Sequence, residues 1–219
     1  MENNKLRDDL LVWLDLETTG LDQEDQMKGV HKHKILEVGM HITDSKFNVI
    51  DKGFEVVIHH KKNDLLPLMN EYVTNMHTVN GLLDRVENSR YSLRMAEKMM
   101  IEYLKAYNIK PESSPLCGNN ISFDKNFLKA QMPDFTSLLH YRILDVSTLK
   151  EIFWRQSPEI AAELVKGNKH RGLEDIQDSI RELKFYQEKF FIPSSQLVIS
   201  TKVDNREEND SQRKHKIKP

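Results

Sequence analysis

The run Leu10-Leu11-Val12-Trp13-Leu14 leads into Asp15-Leu16-Glu17 and then the turn-forming Thr18-Thr19-Gly20, which is the pattern of a buried strand that ends in a loop. Lys34 to Ile42 reads as a second strand. The turn-like Thr43-Asp44-Ser45-Lys46 is followed by Phe47 to Ile50 and by Phe54 to Ile58, so a β-meander is predicted at the start of the fold. Helical spacing takes over later. Ser92 can cap a helix whose apolar positions Leu93, Ala96, Met100, Leu104 and Tyr107 recur at three- and four-residue intervals, a stripe read as core. A short strand is predicted at Leu116-Cys117, a helix from Phe123 to Ala130, and a strand from Tyr141 to Val146. Thr148-Leu149-Lys150-Glu151 has capping-box form and opens a helix toward Trp154, and Arg171 to Phe190 reads as a last long helix. The order is βββαβαβα, which predicts an α/β fold: a mixed sheet flanked by helices.

Residues 1–193 are expected to form one domain. Ser194 to Pro219 is polar, heavily charged and without a periodic apolar face, so it is expected to be a disordered tail with a basic end at Arg213-Lys214-His215-Lys216. Over the 219 residues, 38% are hydrophobic and 30% charged, the balance of a soluble globular protein. No apolar run reaches membrane-spanning length, and the segment MENNKLRDDLL has the form of neither a signal nor a transit peptide. The cytosol is the expected compartment, with the mitochondrion left open. A net charge of −2 argues against a protein that grips long nucleic acid through many phosphate contacts, though a short one in a pocket stays compatible. The single cysteine, Cys117, cannot form a thiolate cluster, so a metal would sit on oxygen and imidazole ligands.

Those ligands are conspicuous. Asp15 and Glu17 lie two apart on a strand and therefore point to one face. Desolvating two like charges at the end of an apolar strand is costly, and a divalent cation offsets that cost better than water does. Oxygen ligands favour a hard ion, Mg²⁺ or Mn²⁺. Asp124 follows Gly118-Asn119-Asn120-Ile121-Ser122-Phe123 in the first turn of a helix. Taken alone it would be a partner of the helix dipole. His170 and Asp175 belong to His-Arg-Gly-Leu-Glu-Asp. Together these four carboxylates and one imidazole meet the needs of two-metal phosphodiester hydrolysis, in which two ions about 3.5–4 Å apart stabilise the attacking and leaving oxygens. A histidine titrating near neutrality can take the proton of the attacking water.

Leu14-Asp15-Leu16-Glu17-Thr18-Thr19-Gly20-Leu21-Asp22, Gly118-Asn119-Asn120-Ile121-Ser122-Phe123-Asp124 and His170-Arg171-Gly172-Leu173-Glu174-Asp175-Ile176 resemble the three motifs of the DEDDh exonuclease superfamily. Within it, Leu68-Met69-Asn70-Glu71-Tyr72, Met76 to Leu82 and His140-Tyr141-Arg142-Ile143-Leu144-Asp145-Val146-Ser147 through Glu151 resemble the oligoribonucleases, and the likeness runs from about Leu10 to Ile192. The resemblance implies a ribonuclease H-like fold, release of 5′-mononucleotides from the 3′ end of short RNA, dinucleotides above all, and a homodimer. It assigns two Mg²⁺ or Mn²⁺ ions to Asp15, Glu17, Asp124 and Asp175, and the role of general base to His170. Leu21 and Tyr72 would sandwich a base, with Tyr72 standing where the family usually has tryptophan. His77 would approach the 3′-terminal nucleotide, Arg142 and Ser147 would cap the 5′ phosphate, and Tyr141 would reach into the partner subunit's site. Asn120 occupies the place of a serine that helps in the cap, and Thr18 that of a methionine. The rival readings are a DEDDh exonuclease for longer RNA or DNA and a catalytically inactive nucleic-acid-binding module. His31-Lys32-His33-Lys34 and His59-His60-Lys61-Lys62 are expected to be solvated loop residues.

Overall fold

β1 (Leu11–Thr18) runs antiparallel to β2 (Ile35–Thr43), and β2 antiparallel to β3 (Phe54–Val57). On its other side β1 is parallel to β4 (Leu116–Gly118), which is parallel to β5 (Ile143–Asp145), so the order is β3-β2-β1-β4-β5. The computed structural model describes residues 5–21, 28–164 and 172–191. Short helices α1 (Gly29–Lys32) and α2 (Lys62–Leu65) precede α3 (Glu71–Val79), α4 (Leu82–Asn88) and α5 (Leu93–Ala106). Then come α6 (Ile121–Gln131), α7 (Pro133–Thr136), α8 (Val146–Gln156), α9 (Pro158–Ala161) and α10 (Gly172–Phe190). Met1–Lys189 forms one compact unit, and a second, Phe190–Pro219, contributes only Phe190 and Phe191 to the described residues. The expected tail therefore lies outside them.

All nine residues of β2 are buried, because both faces of the sheet are covered. Even-numbered positions of β1 and β2, among them Val12, Leu14, Leu16, Val38, Met40 and Ile42, enter one core cluster with Ala96, Met100 and Leu104 of α5 and Phe127 and Leu128 of α6. The stripe predicted for α5 is thus core, and Ser92 caps it by accepting from the Met95 N–H. Odd-numbered positions face the other way. There Trp13 pairs with His41, Asp15 with Gly39 and Glu17 with Glu37 across the β1–β2 ladder. A Cβ on Gly39 would lie 2.9 Å from the Gly172 carbonyl carbon, so the bare backbone at 39 lets the start of α10 settle on this face.

Three expectations are corrected. Phe47 to Ile50 forms no strand and only a Thr43–Val49 bridge, because Asp44 gathers the Lys46 and Asn48 N–H groups into a tight turn and Phe47 takes a positive φ of 63°. The strand expected over 141–146 is limited to Ile143–Asp145, and α8 starts at Val146, so Thr148 lies inside the helix. The cap is Asp145, whose side chain accepts from the Ser147 N–H. The sequence also left 62–88 unassigned, where α2, α3 and α4 stand and where Leu65 of α2 and Leu82, Leu83 and Val86 of α4 close over Leu36 of β2 in a small second core.

Candidate active site

The carboxyl ends of the parallel strands β1, β4 and β5 point the same way, and the crevice beyond such ends is where open α/β sheets bind ligands. β1 and β4 are paired only at Val12 and Trp13. Beyond that point α6 begins, and the Leu16 N–H is taken up by Asp124 Oδ1 at 2.9 Å. Asp124 is thus fixed against β1 as well as against its own helix.

Asp15, Glu17 and Asp175 each offer an oxygen within 4.8 Å of the others. Two come from the odd face of β1 and the third from the first turn of α10, which Gly39 admits. Burial, then the charges of Asp175 and Glu37, push the Asp15 carboxyl up to about 8. Burial, then Asp15, Glu37 and Asp175, push Glu17 up to about 9, against a lowering by Arg85. Burial and Asp15 also raise Asp124 well above the carboxylate range. Carboxyls that hold their protons this tightly are short of positive charge. An all-oxygen set of this kind suits a hard divalent cation.

Glu37, which sequence reasoning passed over, belongs to this cluster. It is buried opposite Glu17, accepts the Gly172 N–H and pairs with Arg85, whose Nη2 lies 2.6 Å from Glu37 Oε2 and whose Nη1 lies 2.9 Å from Glu55 Oε1. A lone acid inside the apolar run Ile35-Leu36-Glu37-Val38 was the available signal.

The other expected site residues fall into three groups. His77 is fully buried in α3; its Nε2 donates to the Thr18 carbonyl at 2.9 Å, and its Nδ1 lies 3.9 Å from Glu17 Oε2. Leu21 and Tyr72 are 60% and 71% exposed, available for contact with a ligand. At the ends of β4 and β5, Asn120 takes the left-handed conformation (φ 52°) and its N–H is shared between Ser147 Oγ at 2.8 Å and Asp145 Oδ1 at 3.0 Å. Tyr141 is 74% exposed, with the Arg142 guanidinium 5.2 Å from its ring centre and the His140 ring 4.5 Å away. His170 lies outside the described residues.

The two histidine clusters read as solvated are corrected. His33 is buried, its Nδ1 3.1 Å from Thr19 Oγ1 and its ring against Gly20, and it closes the turn after β1. His60 Nε2 donates to the Ile35 carbonyl at 3.0 Å, while His31 and His59 are exposed as expected.

An acid cluster at the carboxyl end of the central strand of a mixed sheet is the architecture of a ribonuclease H-like nuclease. The family model described as Exonuclease matches residues 12–183. An oligoribonuclease of Haemophilus ducreyi is 45% identical over 187 residues, 85% of this chain and 97% of that protein, and one of Photorhabdus laumondii is 42% identical over 82% and 94%. The chain therefore belongs to the Exonuclease family and, within it, to the oligoribonucleases. It is a hydrolytic nuclease. Among solved structures, the Mg²⁺- and Mn²⁺-bound form of Pop2p from S. pombe superposes with a TM-score of 0.62 at 13% identity, covering 83% of this chain and 84% of that one. E. coli exonuclease I in complex with an oligonucleotide gives 0.59 at 14% identity, over 83% of this chain and 41% of that one. At such identities the likeness is one of fold. Among the described residues no helix is long and apolar enough to cross a membrane.

Proposed function

We propose that this chain hydrolyses short oligoribonucleotides, dinucleotides above all, from the 3′ end to 5′-mononucleotides. The observation that carries this reading is the cluster of Asp15, Glu17 and Asp175, with Asp124 beside it, in which loss of solvent and mutual repulsion raise the carboxyls of Asp15, Glu17 and Asp124 together. In the proposal these four acids hold two divalent ions, Mg²⁺ or Mn²⁺. When bound, the ions would supply positive charge for the attacking and leaving oxygens.

The protein's own groups do the rest. His170 takes the proton of the attacking water. Leu21 and Tyr72 stack on a base, which tolerates any sequence because every base has a π face. His77 stands behind Glu17 at the 3′-terminal end of the site. Asn120, Arg142 and Ser147 receive the 5′ phosphate and so read chain length. Tyr141, exposed beside them, serves the site of a partner copy in a homodimer, and the cytosol is the proposed compartment.

Cleavage of labelled two-, five- and twenty-nucleotide RNAs and matching DNAs, with Mg²⁺, Mn²⁺ or chelator, tests the reading. The dinucleotide should be degraded fastest and only with metal. Twenty-nucleotide RNA degraded as fast as the dinucleotide would refute the length preference, and full cleavage in excess chelator would refute the ions.

A further inference from the structure

Asn119, the residue after β4, joins three parts of the site. Its Nδ2 donates to Ser179 Oγ at 2.8 Å and to Glu182 Oε2 at 3.0 Å, while its Oδ1 accepts from Ser147 Oγ at 3.3 Å. Ser179 Oγ donates onward to the Asp175 carbonyl at 3.0 Å, and the Tyr186 hydroxyl donates to Glu182 Oε1 at 2.8 Å. Asp175, Ser179, Glu182 and Tyr186 follow one another at intervals of three and four residues, which places them along one face of α10.

The polarity of this junction is fixed twice. A carboxylate can only accept, and the Ser179 hydrogen is committed to Asp175, so both groups require a donor from Asn119. The carboxamide must present its NH₂ to α10 and its oxygen to Ser147, because a flipped amide would set oxygen against oxygen. Glu182 is fully buried, and hydrogen bonds such as those from Asn119 and Tyr186 make a polar group tolerable there.

We propose that Asn119 and Glu182 are positioning residues that fix the distance between the acid cluster, through Asp175, and the 5′-phosphate contact at Ser147. The pair thereby sets how many nucleotides fit between cleavage point and cap. This rests on the roles given to Asp175 and Ser147 under the proposed function.

The test compares wild type with Asn119→Leu, the exchange variant N119D/E182Q, and Ser147→Ala. Two quantities are read: Mn²⁺ affinity without RNA, by electron paramagnetic resonance, and the ratio of kcat/KM for 5′-phosphorylated dinucleotide over pentanucleotide. Asn119→Leu should lower both by about tenfold, the lower range for losing an outer-shell partner of a metal site. N119D/E182Q keeps the net charge and rebuilds the 119–182 contact with donor and acceptor exchanged, while Ser179 Oγ turns its hydrogen from the Asp175 carbonyl to the new carboxylate at position 119, so both should return to within about threefold of wild type. Ser147→Ala should lower the ratio and leave Mn²⁺ affinity alone. Unchanged values in folded Asn119→Leu, or an exchange variant no better than Asn119→Leu, would overturn the proposal. Should Asn119→Leu fail to fold, N119D alone against N119D/E182Q makes the same comparison. An unchanged ratio in Ser147→Ala would instead refute the phosphate contact. The pair is then still judged by Mn²⁺ affinity, which involves no RNA.

Discussion

The two faces of β1 put the same strand to opposite uses. On the even face, Val12, Leu14 and Leu16 enter a dry core whose burial stabilises the fold. On the odd face, Asp15 and Glu17 are partly buried, and their charges repel each other and hold on to protons. One face makes the protein stable, and the other costs stability to make a site.

The largest expected effects separate the faces. Asp15→Asn should lower turnover on the order of 10³-fold, several kcal/mol of lost charge stabilisation, yet raise the melting temperature of the metal-free protein at pH 8 because a repelling charge is gone. Leu14→Ala should do the reverse, costing about 2–5 kcal/mol of stability while the surviving folded molecules turn over nearly as fast. Thermal melts and active-fraction-corrected rates read both, and an Asp15→Asn protein that melts lower than wild type in chelator would erase the distinction. Next in size, His170→Ala should keep substrate binding and lose on the order of 10²-fold in turnover. An unchanged rate would remove this histidine from the chemistry. Tyr72→Ala should weaken dinucleotide binding by roughly 1–3 kcal/mol, the worth of one stacked base, as read by titration with a non-hydrolysable analogue.

A further effect, graded rather than all-or-none, is one of pH. Asp15 and Glu17 keep their protons up to about 8 and about 9 in the fold, whereas in the unfolded chain they lose them near pH 4. Between those values the folded state binds more protons at these two acids, so their contribution to the stability of the metal-free protein is fullest below about pH 4 and falls as pH rises toward 8–9. Saturating Mn²⁺ should flatten that slope, because the ion takes the protons' place. Melting curves in chelator and in Mn²⁺ across pH 5–9 give the comparison, and parallel curves would mean the acids do not share an ion.

How much of this was legible in the sequence follows the same division. The even-face core and the α5 stripe showed in simple periodicity, and Asp15, Glu17, Asp124 and Asp175 stood out as acids in apolar or motif settings. Contacts between segments distant in sequence did not. Glu37 becomes part of the site only through the β1–β2 register, and the Asp124 bond to Leu16 exists only because β1 and β4 part after Trp13. His33 looked like a loop cation until the turn after β1 folded over it. The capping-box pattern at Thr148 misplaced the start of α8, which Asp145 caps instead. Strand β5 ends on Asp145, and that tertiary fact decides.

Gly39 makes the sheet a gauge for the helix above it. With only 2.9 Å between a would-be Cβ and the Gly172 carbonyl carbon, a single methyl at 39 acts as a shim under one end of α10. The far end is held by Tyr186, whose ring lies 4.8 Å from that of Phe153 on α8, so the lift is felt mainly where Asp175 stands, three residues from the fulcrum. An alanine there would add one carbon atom, yet the dimension it alters is the gap between the acid of α10 and the two acids of β1.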